Sequence, residues 1–235
     1  MVIQKLNLLE WFSNNALILL LAAGTIFSFL WLMIQKELYL CWWAAAIVSV
    51  THTILGVVCV KVFAVMETFD LNNAGNMSLF GGIFFMPLLY LLGAKLTNRN
   101  PRHVCDVFTL CMVGTVMCAR INCIISGCCQ GSIIVGTDHL RWPTRELEIL
   151  LYLVLLFWLG RKTRQEHVSG EIYPIYMIVY GVFRFVIEWF RVADSPLGFI
   201  HLGHIWSLIC LGMGVSIYFS LHNQQDGKKK KKLSR

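Results

Sequence analysis

The chain has 235 residues, 57% of them hydrophobic and 14% charged, with a mean hydropathy of +0.65. A soluble domain carries about 25% charged residues, so this composition excludes a soluble globular fold, and the length leaves no room for a soluble domain beside a membrane one. The net charge of +7 is not a nucleic-acid signal, because five lysines form one C-terminal run, Lys228 to Lys232, and the other basic residues are scattered through short connections.

A helix needs about 20 apolar residues to cross about 30 Å of hydrocarbon at about 1.5 Å per residue. In chain order, residues 16–34, 41–66, 79–95, 105–125, 145–160, 172–189 and 202–221 meet that need. The first run is long enough to span and has no small-residue cleavage site after a short apolar core, so it reads as a retained helix and not a signal peptide. Gly81, Gly82, Pro87, Pro174 and Gly181 are tolerated inside such helices, where neighbours re-satisfy the backbone. The expected fold is all-α: a polytopic membrane protein of about seven transmembrane helices, forming one domain over 1–221, with a basic cytoplasmic tail over 222–235.

Orientation follows from lysine and arginine in the connections. One side collects 13 of them: Lys36; Lys95, Arg99 and Arg102; Arg161, Lys162 and Arg164; Lys228 to Lys232 and Arg235. The other side collects four: Lys5, Arg141, Arg145 and Arg191. The bias places the C-terminus in the cytoplasm and, after seven crossings, the N-terminus outside. The outer side then holds the long polar loops 67–78, 128–144 and 192–203, and loops of this length are often functional.

In the sixth segment Tyr180, Arg184, Glu188 and Arg191 are spaced 4, 4 and 3, so they share one helix face. A charge in mid-membrane costs about 2.5–3.5 kcal/mol on insertion scales, and a row of them needs a partner, a cavity or a substrate. An internal Arg184–Glu188 ion pair, with Arg191 reaching the interface, is the purely structural alternative. Arg120, near the end of the fourth segment, also needs an anionic partner. Two arginines from different helices suit an anionic headgroup, because guanidinium binds phosphate bidentately. Glu148, one turn into the fifth segment, is a candidate partner, and Thr144 is placed to cap that helix.

Nine cysteines mostly fall inside apolar runs and fit small buried residues better than a disulfide framework. Cys128-Cys129 is the exception. Without a CxxC pair its spacing argues against zinc, and no metal or cofactor is expected. A reactive thiol activated by nearby arginines, or tight packing at a helix end, both remain open. Gly127 and Gly131 bracket a turn where backbone could approach a ligand, and Gly81-Gly82 permits close helix contact or backbone approach. His52 reads as a packing residue, Lys61 as snorkelling, and His204 as interfacial.

The order of these motifs resembles the prolipoprotein diacylglyceryl transferase family, from about Gly56 to Ser207. The resemblance rests on Met77-Ser78-Leu79-Phe80-Gly81-Gly82, on Ala119-Arg120-Ile121 through Ser126-Gly127 to Gly131, on Pro143-Thr144 with Glu148, on Tyr180-Gly181 followed by Arg184, Glu188 and Arg191, and on His204 with Ser207. It implies seven transmembrane helices in a bacterial plasma membrane and transfer of diacylglycerol from phosphatidylglycerol to the thiol of a prolipoprotein lipobox cysteine. Arg120 and Arg184 match arginines implicated in headgroup binding and catalysis, and Gly131, Tyr180 and Glu188 match further functional positions. The set expected to act in catalysis is therefore Arg184, Arg120, Glu188 and Tyr180. The set expected to bind substrate is Arg120, Gly131, Gly81, Gly82, Glu148, Arg191 and His204. Departures from the family pattern are Phe80 for its catalytic histidine, Cys123 for an asparagine, Cys128 for an acidic residue and Arg145 for a glutamine. With Phe80 in that place the general base is unassigned, with Glu188, Glu148 or a thiolate as candidates. A membrane thiol enzyme using Cys128 or Cys129, and a non-catalytic anionic-lipid-binding or transport protein, are the alternatives.

Overall fold

The computed structural model describes residues 2–35, 38–69, 77–137, 139–191 and 201–233. Among them are seven helices: α1 (Val2–Ile34), α2 (Trp42–Thr68), α3 (Leu79–Leu96), α4 (Pro101–Ile125), α5 (Thr144–Lys162), α6 (Ile172–Glu188) and α7 (Leu202–Leu233). Five of these, α1 to α4 and α7, are long and apolar enough to cross a membrane. The other two are shorter in apolar run or in length: α5 holds Arg145, Glu146 and Glu148 at its start, and α6 has 17 residues including Arg184 and Glu188. The architecture is that of a polytopic all-helical membrane protein. Residues 70–76 and 192–200 of the long loops, with Lys36 and Arg235, lie outside the described residues, and only the backbone of Lys5 and Lys228 to Lys232 is described.

Three boundaries differ from the hydropathy reading by four residues or more, and the others agree within two. The first helix begins at Val2, α4 begins at Pro101, and α7 runs on through the basic segment to Leu233. Hydropathy marks where a helix leaves hydrocarbon, whereas backbone hydrogen bonding continues into water wherever nothing breaks it. At α4 the start is set by Asn100, whose side chain accepts from the Arg102 N–H, and by Pro101 in the first turn.

Large apolar side chains such as Ile18, Ile26, Leu30, Ile54, Leu88 and Phe157 face outward, as expected where the surrounding solvent is lipid. The interior is built around α4, which packs on α1, α3, α5 and α6. Helix association in lipid relies on small residues and interhelical hydrogen bonds rather than on expulsion of water, and both recur here. Trp31 donates to the Val107 carbonyl at 3.1 Å, joining α1 to α4. His52 meets the Tyr90 hydroxyl at 2.8 Å inside the core, joining α2 to α3 as a packing histidine.

Gly81 shows why a close crossing needs glycine. A Cβ built there would overlap the Cys59 carbonyl of α2 and press on Phe63, whereas one at Gly82 would meet Val60 at an ordinary 3.6 Å. Gly81→Ala is therefore expected to destabilise by about 1–3 kcal/mol, while Gly82→Ala stays within about 0.5 kcal/mol. Thermal unfolding of the two variants in matched detergent checks this, and equal losses would show that the crossing relaxes.

One end of the bundle is tied by a second polar cluster. Buried Asp106 of α4 accepts from the backbone N–H groups of Gly170 (2.6 Å) and Ile172 (3.0 Å), fixing the α5–α6 connection. Beside it Glu171 pairs with Lys162 at 2.8 Å. The opposite end carries the C-terminal ends of α2, α4 and α6, where Glu67, Arg120, Arg184 and Glu188 gather.

Candidate functional site

Arg120 stands near the end of α4, Glu148 one turn into α5, and Arg184 and Glu188 in the last two turns of α6. The bundle brings these three helix ends together. Glu148 lies between two arginines, with Arg120 Nε 2.8 Å from one carboxylate oxygen and Arg184 Nη1 donating to the other at 2.8 Å. Arg184 Nη2 is 2.8 Å from Glu188, one helical turn on, and Arg191 Nη1 is 3.7 Å from the same oxygen. The result is one chain, Arg120–Glu148–Arg184–Glu188–Arg191. All but Arg191 are buried, with side-chain exposures of 8% or less. The Arg184–Glu188 pair of the structural alternative is present, and it belongs to a larger assembly that opens on a cavity.

That cavity, of about 240 Å³, is walled by Arg120, Arg184, Glu188, Arg191, Tyr180 and Cys129 among others. Three guanidiniums meet two carboxylates in the chain, and the Glu67 carboxyl stands in the same cavity wall, where it can offset the difference. Buried charge of this kind is costly unless a partner neutralises it. Tyr180 is 1% exposed, and its hydroxyl has no hydrogen-bond partner among the described residues. Phe80 is also in the wall, edge-on to Tyr180 with ring centroids 5.9 Å apart, and offers no proton-transfer group. Met77 and Leu79 are shared with a smaller, almost wholly apolar cavity of about 80 Å³ that runs toward Leu17, Val60 and Met112. A charged compartment thus adjoins an apolar one.

Other expected site residues stand elsewhere. Gly81 serves the α2–α3 crossing, and Gly82 lines the apolar cavity. Gly131 forms an isolated antiparallel bridge with Arg191, and a Cβ on it would overlap the Trp142 carbonyl. It thereby holds the segment that carries Arg191. Ser132 continues this attachment by donating its N–H to the Phe190 carbonyl at 2.8 Å. His204 is buried and packs on the rings of Phe185 and Trp189. Thr144 does not cap α5: it is the first helical residue, and its hydroxyl donates to the Cys129 carbonyl at 3.4 Å. Glu67, at the end of α2, adds a carboxyl to the cavity wall beside Ser78 and Trp206. The sequence reading left it in a loop, although an acidic residue closing an apolar run was the available sign.

The chain turns sharply after α4. Gly127 (φ +70°) and Cys129 (φ +56°) are both left-handed, and only the first is free of a side-chain penalty. This fold-back brings the thiols of Cys128 and Cys129 to that of Cys123, all three within 4.8 Å of one another. The Cys123 thiol, hydrogen-bonded to Cys129, and the nearby Arg120 and Arg191 guanidiniums hold the Cys129 thiol well below the usual cysteine range. Its thiolate should persist as pH falls. Alkylation of Cys129 by iodoacetamide, mapped by mass spectrometry, is expected to change little between pH 8.5 and pH 7, where an ordinary cysteine of pKa about 8.5 is only a few per cent thiolate. A loss of rate of about sixteenfold across that range would show an ordinary thiol.

The family model for prolipoprotein diacylglyceryl transferase matches residues 12–220. A phosphatidylglycerol–prolipoprotein diacylglyceryl transferase of Mannheimia succiniciproducens is 32% identical over 159 residues, covering 59% of this chain and 58% of that protein. The protein of the same name from Campylobacter hominis is 32% identical over 161 residues, covering 62% and 56%. That from Paracidovorax citrulli is 28% identical over 144 residues, covering 55% and 53%. The chain thus matches a little over half the length of these curated relatives. The family match runs from within α1 into α7 and takes in every helix that contributes to the arginine–carboxylate chain, so the protein belongs to the prolipoprotein diacylglyceryl transferase family.

Proposed function

We propose that the protein is a seven-span enzyme of a bacterial plasma membrane, N-terminus outside and C-terminus cytoplasmic, that transfers diacylglycerol from phosphatidylglycerol to the lipobox cysteine of a prolipoprotein. The observation that carries this is the Arg120–Glu148–Arg184–Glu188–Arg191 chain, which brings three guanidiniums from two parts of the fold to the wall of one cavity. A phosphodiester headgroup can accept from those guanidiniums, and the apolar cavity beside it suits the start of an acyl chain. Lipid would enter sideways from the outer leaflet, since the site lies at the bundle end that the basic-residue bias assigns to the outside.

In the reaction the acceptor sulfur attacks the terminal glyceryl carbon of the diacylglycerol moiety. A carbon–sulfur bond forms, the carbon–oxygen bond to phosphate breaks, and glycerol phosphate departs with the electron pair. Negative charge grows on the leaving phosphate, where Arg120 and Arg184 would stabilise it. Glu148 and Glu188 are each held by two arginines, which suits them to aim guanidiniums rather than to take the thiol proton. Glu67 lies outside that chain and would accept from headgroup hydroxyls. The resemblance puts Phe80 where the family has its histidine, and this favours a second reading in which lipid is bound but not turned over.

The deciding experiment mixes purified protein with phosphatidylglycerol vesicles and a lipobox peptide, and follows lipidated peptide and glycerol phosphate together. Stoichiometric release of both supports the transferase. Anionic lipid bound with neither product formed would support the binding protein instead.

A further inference from the structure

Of the three thiols at the end of α4, only that of Cys129 stands in the wall of the anion cavity, and the arginine–carboxylate chain uses none of them. Cys123 closes the last turn of the helix, and Cys128 and Cys129 return to it through the left-handed turn at Gly127 and Cys129. A left-handed non-glycine residue costs about 1–3 kcal/mol and persists where the surroundings enforce it. Here it places the third sulfur beside the other two. Arg145 donates to the Cys123 carbonyl at 3.2 Å, and Thr144 to that of Cys129, so the start of α5 holds both backbones in place. The spacing C-x₄-C-C, which as sequence lacks the pattern of a metal site, is made into a compact three-sulfur face by the turn.

We propose that Cys123, Cys128 and Cys129 bind one zinc ion, leaving a fourth coordination position for the acceptor thiol. Three protein ligands with an open fourth position are what catalytic zinc sites require. With zinc–sulfur bonds of about 2.3 Å, tetrahedral geometry sets the sulfurs about 3.8 Å apart, and the present spacing, within 4.8 Å, needs a contraction of about 1 Å at most. Three thiolates around a divalent cation carry one net negative charge, which suits the Arg120 and Arg191 guanidiniums facing Cys129. Because Cys129 is also in the wall of the anion cavity, the ion stands next to where the lipid headgroup would be held.

The second part of the inference rests on the transferase reading. A thiol that coordinates zinc does so as the thiolate, releasing its proton to solvent. The bound sulfur then attacks the glyceryl carbon, the carbon–oxygen bond breaks toward phosphate, and the thioether formed, a weaker ligand, leaves the metal. No histidine is needed for that proton, which gives a chemical reason for an apolar Phe80 in the same cavity.

The test uses the full chain, purified in detergent under reducing conditions without chelator. Its zinc content is measured, and Zn²⁺ and Co²⁺ are titrated into chelator-stripped protein. About one zinc per chain, sulfur-to-cobalt charge-transfer absorption, and a loss of affinity greater than a hundredfold in each of Cys123→Ser, Cys128→Ser and Cys129→Ser are expected, with Cys41→Ser unchanged as the exposed control. Wild-type affinity in any of the three serine variants that remain folded, or no zinc bound by the wild type, overturns the site. A Cys123–Cys129 or Cys128–Cys129 disulfide in freshly isolated protein that takes up no zinc after reduction overturns it as well. The transfer assay separates the second part. Transfer at full rate after zinc removal sinks the activation role and leaves the transferase reading standing. Zinc bound at one per chain with no transfer under any condition removes the transferase reading and leaves the metal site.

Discussion

Arg184→Ala is expected to lower diacylglyceryl transfer by about a hundred- to a thousandfold, the range seen when one preorganised donor to a developing anion is removed. Arg184 is the centre of the arginine–carboxylate chain: it touches Glu148 with one guanidinium nitrogen and Glu188 with the other, both at 2.8 Å, and it stands in the cavity wall. Arg184→Lys keeps the charge but cannot reach two carboxylates at once in fork geometry. It should recover lipid affinity more than rate. Initial rates at several phosphatidylglycerol concentrations separate the two effects: a fall in kcat that exceeds the rise in KM marks stabilisation of the leaving phosphate, whereas a rise in KM alone marks simple lipid binding. Wild-type rates in folded Arg184→Ala would remove this cavity as the reaction site.

The strength of that prediction traces to how openly the sequence carried this part of the site. Charges four residues apart on an apolar helix must share a face, and a buried charge must find a counter-charge, so Arg184, Glu188 and the need for Glu148 and Arg120 follow from helix geometry and solvation alone. The polar links that depend on backbone conformation were not legible in this way. Nothing in Gly-Cys-Cys-Gln-Gly says that Cys129 adopts φ +56° and returns to Cys123, because a left-handed turn is fixed by what packs around it. Gly81 and Gly82 look equivalent as sequence, yet only one meets a carbonyl of the neighbouring helix. Asp106 was silent for the same reason, since its partners are the backbone N–H groups of residues 170 and 172 and the His167 ring at 3.4 Å, all on a connection whose path no side-chain pattern advertises.

The second large effect is on stability. Glu148→Ala is expected to cost about 3–5 kcal/mol, the penalty for breaking a buried ion pair from one side. Glu148 is 3% exposed, and its two oxygens are engaged by arginines from two different helices, α4 and α6. Removing it leaves two buried guanidiniums facing each other with only Glu188 to share. The loss should exceed that in Glu188→Ala, because the ion pairs of Glu188 stay within α6 and the segment just after it, and its meeting with α7 is close packing on Gly203. Unfolding free energies in mixed micelles, compared across Glu148→Ala, Glu148→Gln and the double change Glu148→Ala with Arg120→Met, test the cause. If the penalty is uncompensated charge, the double variant recovers part of the loss by deleting one stranded guanidinium, and Glu148→Gln recovers little because it restores no charge. If the double variant is less stable than Glu148→Ala alone, the role of Glu148 is packing. Bound phosphatidylglycerol gives an independent check. An anion that enters the cavity compensates the same guanidiniums, so added lipid should raise the stability of Glu148→Ala by more than that of the unaltered protein.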